Sequence, residues 1–182
     1  VTNRNSAIPL WTEARVDQLL RINSGWLMRT QKGIFYSADL KTFEERDNGL
    51  PFLTIKTFKE GKKTLSLQIQ ELKDLCVNPV NHNEVVTATK DSVFFSRDGG
   101  VNWKNLGSMS KTTPGVKAVA LATLEGETIV FMAHPIFGLS YIFPDRPKPE
   151  WYDVDAGFEK MPSLTSPDEI ADILPVLRTR AD

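Results

Sequence analysis

Ser96-Arg97-Asp98-Gly99-Gly100-Val101-Asn102-Trp103 sits between two short apolar runs and carries every residue type that a tight turn between antiparallel strands requires. A short acidic side chain such as Asp98 accepts backbone N–H groups across the turn, and Gly99-Gly100 supply the positive φ angles it needs. Ser96 hydrogen-bonds across the same turn. Trp103, one strand-start later, can bury its ring between adjacent sheets and still use its indole N–H as a donor. These roles are structural, so the motif marks geometry before it marks chemistry.

Working outward, β-branched and aromatic runs recur along the chain, separated by Gly, Asn, Asp and Pro clusters, and no amphipathic helix interrupts them before the C-terminus. This pattern predicts strands near Gln18–Ile22, Trp26–Thr30, Ile34–Ser37, Thr42–Glu45, Phe52–Phe58, Thr64–Gln70, Leu72–Asn78, Glu84–Thr89, Val93–Arg97, Trp103–Leu106, Lys117–Leu124, Thr128–Ala133, Gly138–Phe143 and Trp151–Asp155.

The strands also repeat. Ser37-Ala38-Asp39-Leu40-Lys41-Thr42-Phe43 keeps the Ser and the Asp 59 positions upstream of Ser96, with Leu in place of glycine and Phe43 in place of Trp. A worn third copy retains Ser140 and Trp151. Each copy reads as one four-stranded meander, the unit of a β-propeller blade. The expected class is therefore all-β: about three four-stranded antiparallel meanders over residues 17–46, 72–107 and 117–155 of a domain spanning 1–155, with an inserted hairpin at 52–70. An extension at 156–182 follows. In it Ser166-Pro167-Asp168-Glu169 combines an N-cap serine, a proline at the first helical position and a capping-box glutamate, predicting a short C-terminal helix over Pro167–Leu174 that Pro175 ends. Pro144–Pro149 reads as a stiff loop inside the third copy.

With the preceding Val77-Asn78-Pro79, Asn83–Val86 and Ser96, this segment resembles the Asp-box (BNR-like) repeats of β-propellers in sialidases, xyloglucanase-type glycoside hydrolases, sortilins and photosystem assembly factors. The resemblance covers roughly residues 17–155. It implies that Ser37, Asp39, Phe43, Ser96, Asp98, Gly100 and Trp103 join third to fourth strands on the face opposite the ligand. A ligand face would then gather the second-to-third turns, with Gln31, Lys32, Lys90, Asp91 and His134, and the hairpin tip with Lys62 and Lys63, placed as a flap. Three blades do not close a ring of about four to eight, so the resemblance also implies either further domains of a longer chain or a homodimer that completes the propeller. A start at Val1, without an initiator Met or leader, fits a mature or excised piece.

The remaining features restrict function. Lys and Arg number 22 against 23 Asp and Glu, so no whole-chain field draws this protein to nucleic acid or to an anionic membrane. Apolar runs stay well short of the roughly 20 residues of a membrane span. The single cysteine, Cys76, excludes an internal disulfide and is read as a structural thiol. Asp98 and Asp39 lack the neighbouring carboxylates of a calcium loop, and neither a phosphate-binding glycine loop nor a zinc spacing occurs.

Sialidases carry an Arg-Ile-Pro segment, where this chain has Ala7-Ile8-Pro9. Glycoside hydrolysis needs two carboxyls across one cleft, and Asp91, Glu60 and Asp47 show no pairing by spacing. The expectation is no catalytic residue, no cofactor and no metal. The leading reading is a non-catalytic binding or scaffolding propeller module of a bacterial extracytoplasmic protein, periplasmic or extracellular, with a glycan or protein ligand and attached to a carbohydrate-active enzyme. The alternative is part of a glycoside hydrolase whose cleft is completed by residues outside this chain; Cys76 leaves the cytosol open as compartment.

Overall fold

A computed structural model describes residues 15–59, 62–107, 115–135 and 138–154. Within them the chain is all-β and every strand pairing is antiparallel. The first sheet runs in the order β1 (Val16–Ile22), β2 (Gly25–Thr30), β3 (Gly33–Ser37) and β4 (Glu44–Glu45). After it a separate two-stranded hairpin pairs β5 (Phe52–Lys59) with β6 (Lys62–Ile69). The second sheet comprises β7 (Asp74–Val77), β8 (Val85–Ala88), β9 (Val93–Ser96) and β10 (Lys104–Gly107). The third comprises β11 (Ala118–Leu124), β12 (Glu127–His134), β13 (Gly138–Ile142) and β14 (Tyr152–Asp153). All fourteen strands fall where the sequence pattern puts them, and 144–149 is a loop. The expected helix over Pro167–Leu174 lies outside the described residues.

The three meanders pack face to face in chain order, and β7 lies between β1 and β11. The middle sheet is therefore covered on both faces, which is why β8 (VVTA) and β9 (VFFS) are buried at every position, without the usual alternation of apolar and polar residues. Successive side chains point to opposite neighbours. Val85 and Phe94 join Ile22, Leu27, Ile34, Leu75 and Trp103 between the first and second sheets, with Leu50, Ile69 and Leu72 from the connecting segment. Val86 and Phe95 join Val119, Leu121, Val130, Met132 and Ile142 between the second and third. Each such Val, Leu or Phe contributes about 1.5–3 kcal/mol on burial. A smaller cluster of Met28, Phe35 and Phe43 lies on the far face of the first sheet.

The repeat holds at the level of hydrogen bonds. At the β2–β3 turn the Thr30 hydroxyl donates to the Gly33 carbonyl (3.0 Å) and accepts from the Lys32 N–H (3.0 Å). Thr89, 59 positions on, donates to the Ser92 carbonyl (3.4 Å) and accepts from the Asp91 and Ser92 N–H groups. Four residue pairs further down the ladder, Ser37 faces Trp26 and Ser96 faces Val85. In the third sheet, four pairs from His134–Gly138 lead to Ile142 opposite Val130, not to Ser140. Ser140 therefore does not occupy the turn-serine position that its residue type suggests. It pairs with Met132 and its hydroxyl donates to Asp153 at 3.1 Å.

The inserted hairpin differs from the sheets. Its eight residue pairs run from Phe52–Ile69 to Lys59–Lys62, and its strands pack chiefly against each other. Among its described side chains, only Ile69 at the base enters the core. The arm stands in solvent rather than lying over the sheet ends as a flap.

Candidate functional site

Antiparallel meanders put the first-to-second and third-to-fourth turns at one end of each sheet and the second-to-third turns, with the connections between sheets, at the other. The two Ser–Asp turns occupy the first end. In the first, Asp39 Oδ1 accepts from the N–H groups of Lys41 (2.8 Å) and Thr42 (2.9 Å), while the Ser37 hydroxyl accepts from the Leu40 N–H (2.7 Å). Those backbone donors, Thr42 first and Lys41 next, hold the Asp39 carboxyl down to about 2. In the second, Ser96 donates to Asp98 (2.8 Å) and accepts from the Gly100 N–H (2.8 Å), and Asp98 accepts from the backbone and side-chain nitrogens of Asn102 (2.9 and 2.7 Å). Partial burial works to raise the Asp98 carboxyl, and the Asn102 and Ser96 hydrogen bonds outweigh it, so its pKa lies below the ordinary carboxylate value.

Gly99 and Gly100 adopt φ of 67° and 86°, as the turn requires, whereas Leu40 takes φ 59° without a glycine's freedom. Trp103 is buried and its indole N–H donates to the Arg46 carbonyl; Trp151 repeats this toward Leu106. Trp26, by contrast, is half-buried beneath the Arg21 guanidinium, 5.1 Å from its ring. The serine hydroxyls and the Oδ1 atoms of both aspartates are engaged in holding the chain. A cleft of about 460 Å³ nearby, between Trp103 and Pro144, is walled by the same turn together with the Arg97–Asp145 ion pair and Lys104, whose ammonium donates to the Pro144 carbonyl (3.1 Å).

The opposite end holds a cavity of about 490 Å³ between the start of β1, the β2–β3 turn and the segment that leads from the hairpin into β7. Arg29 forms its floor: Nε donates to Gln18 (2.6 Å), Nη1 donates to the Leu72 carbonyl (2.7 Å), and Asp17 lies 3.5 Å away. Gln18 in turn donates to Asp74 (2.8 Å), whose second oxygen accepts the Val119 N–H (3.0 Å). One polar chain thus crosses the first strands of all three sheets. At the rim, Lys73 pairs with Glu71 at 2.7 Å and Arg15 with Asp17 at 2.6 Å. Gln31 and Gln68 add amide groups to the wall. Both carboxylates here are tied to cations, three cations stand against two carboxylates, and amides add donors and acceptors, an arrangement suited to hydrogen-bonding a polar ligand.

Of the residues expected on the ligand face, only Gln31 lines this cavity. Lys32 sits beside it, exposed, on the same turn. Lys90 offers its carbonyl to the Val116 N–H (3.0 Å), and that carbonyl lies only 2.0 Å from where a Cβ on Gly115 would stand, so the close crossing there requires glycine. Asp91 accepts from the Gln70 amide at 3.4 Å. His134 is the buried last residue of β12 rather than an exposed turn residue. Lys62 and Lys63 stand at the far end of the hairpin, roughly 23 Å along the strand from Ile69 by the rise of about 3.3 Å per residue.

The residues the turn argument missed are Arg29, Lys73, Gln68, Arg15 and Asp17. An arginine inside the apolar strand Trp26-Leu27-Met28-Arg29-Thr30 was an available signal, since a charge in that position needs partners. Cys76 is half-buried, and burial raises its pKa, which keeps it a thiol. Asp47 is likewise raised by burial. Among the described residues no three His, Cys, Asp or Glu side chains converge as a metal site, and no helix is long and apolar enough to cross a membrane.

The class that these sheets define is an all-β array of antiparallel four-stranded meanders with repeated Ser–Asp turns. Comparison with protein-family models and with curated proteins gave no match to the chain.

Proposed function

We propose that the three meanders are consecutive blades of an Asp-box β-propeller, and that the chain serves as a non-catalytic binding or scaffolding module of a bacterial extracytoplasmic protein. Its ligand, a glycan or a protein segment, sits at the cavity between Gln31, Gln68 and Lys73. The observation that carries this reading is the separation of roles between the two ends. Both ends have a concavity of ligand size, but the cleft at the Ser–Asp end is walled by groups bonded within the turn and to Pro144, whereas the opposite end sets the amides of Gln31 and Gln68 in its wall. The pairing of both carboxylates favours recognition over hydrolysis, because glycoside cleavage calls for two facing carboxyl groups, and here Asp17 and Glu71 are each tied to a cation. Ring closure is then completed by further blades of a longer chain or by a second copy.

Glycan-array screening followed by calorimetry tests the reading. Binding of a glycan that is lost in Gln31→Ala with Gln68→Ala, and kept in Lys90→Ala with Asp91→Ala, supports the cavity as the site. Binding indifferent to the glutamine changes overturns it, and turnover of the bound glycan by this chain overturns the non-catalytic assignment.

A further inference from the structure

The β5–β6 arm gathers several exposed apolar side chains on one ribbon. Residue pairing puts Phe52, Thr54, Lys56, Lys63, Leu65 and Leu67 on one face of the ribbon, continuing outward from Ile69 in the core. Leu67 is 74% exposed, Leu65 59% and Phe52 47%. The other face carries Thr57, Thr64, Ser66 and Gln68, with Leu53, 52% exposed, near the base and Ile55 midway along. A two-stranded hairpin is marginal in water by itself, and this one extends about 26 Å, at about 3.3 Å per residue, with Phe52, Leu65 and Leu67 wet.

Charge narrows the choice of surface. Residues 52–69 hold Lys56, Lys59, Lys62 and Lys63 against Glu60, a net +3, so with −1 for the whole chain the remainder carries −4. The near-zero total conceals a basic arm on an acidic body. Lys56 is also paired directly with Leu65, in the middle of the apolar face. Protein interfaces deplete lysine from their centres. A lipid headgroup layer accepts it, because the stem covers apolar neighbours while the ammonium reaches phosphate.

We propose that the arm lays its Phe52–Leu65–Leu67 face on a bilayer containing anionic lipid, with Lys56 and Lys63 at the headgroups and the acidic body held away. This is a peripheral attachment that is independent of what the cavity binds. Its strength comes from a few partly inserted side chains and lysine–headgroup attraction, so it is reversible and weakened by salt.

Vesicle co-sedimentation of the whole chain tests it, using phosphatidylcholine with roughly a third phosphatidylglycerol and, in parallel, phosphatidylcholine alone. Binding is expected only to the anionic vesicles, falling about tenfold or more in Lys56→Glu with Lys63→Glu and by a similar factor in Leu65→Ser with Leu67→Ser. All four side chains are solvent-exposed, so these variants keep the fold, which circular dichroism verifies. Equal binding to both vesicles, or none to either, overturns the proposal. So does full binding by the serine variant, since a purely electrostatic polyanion contact needs no leucines.

Discussion

The indole N–H of Trp103 donates to the carbonyl of Arg46, the residue that follows the last strand of the preceding sheet, at 2.9 Å. The third sheet repeats the relationship, Trp151 donating to Leu106 in the last strand of the second at 3.0 Å. The tryptophan at this position therefore stitches each sheet to its predecessor, with the ring supplying apolar burial and the N–H fixing register. At the corresponding position of the first sheet, which follows no other described sheet, stands Phe43, a ring without an N–H.

Two substitutions separate the components of that stitch. Trp103→Phe keeps a ring in the core and leaves the Arg46 carbonyl without its donor, a loss of about 1 kcal/mol. Trp103→Ala also empties the space among Leu27, Ile34 and Phe94 and costs about 3–5 kcal/mol. Urea denaturation followed by far-ultraviolet circular dichroism measures both. Equal losses for the two variants would contradict the division of roles.

Much of this was legible in the residues, for a physical reason. Gly, Pro, Asn and Asp punctuate the chain where it reverses, and β-branched runs fill the intervals, so all fourteen strands could be placed from local chemistry. The turn at Asp98 was readable because its hydrogen bonds are local, within six residues. The cavity was not, because Arg29 and Lys73 meet only through tertiary packing between the first sheet and the segment entering β7. Ser140 departs from the expectation for a related reason: residue type alone does not report register, and the ladder places Ile142 at the turn-serine position. Arm exposure was equally invisible, since a hairpin signal says nothing of what covers the hairpin.

Leu40 is the weak point of the first turn. It holds φ 59° at the position where the second turn has Gly99 at 67°, and at 36% exposure it lies outside the buried core clusters that could offset the strain. Left-handed backbone costs a non-glycine residue about 1–2 kcal/mol, while glycine adds a somewhat smaller entropy cost to folding. Leu40→Gly is expected to be neutral to stabilising by up to about 1 kcal/mol, seen as a higher denaturation midpoint. A clear loss of stability would show that Leu40 contributes packing beyond what its exposure indicates.

Acid stability follows from the same turns. Folding lowers the Asp39 carboxyl from 3.8 to about 2, so the folded state favours the ionised form. The stability this adds is fully present above about pH 4 and is lost as pH falls through about 2. Asp98 shifts in the same direction. Asp39→Asn should therefore be less stable than the parent at pH 6 and approach it near pH 2. A constant difference between the two across pH 2–6 would rule out ionisation as the source.

Glu84 provides the sharpest test of how the second and third sheets are joined. Its Oε2 is buried and accepts from the Asn78 amide and the Thr128 hydroxyl, both at 2.7 Å, and Asn78 also exchanges hydrogen bonds with Thr123. Thr123 and Thr128 flank the β11–β12 turn, so a single carboxylate oxygen spans two sheets at the end where the Ser–Asp turns lie. Removing it in Glu84→Ala leaves two buried donors without an acceptor, and each such group costs about 1–3 kcal/mol. Glu84→Gln retains one carbonyl oxygen that can take the place of Oε2 and should lose clearly less. If the alanine variant proves no worse than the glutamine, the sheets are held together by the Val86–Met132 core alone, and the polar bridge contributes nothing to their docking.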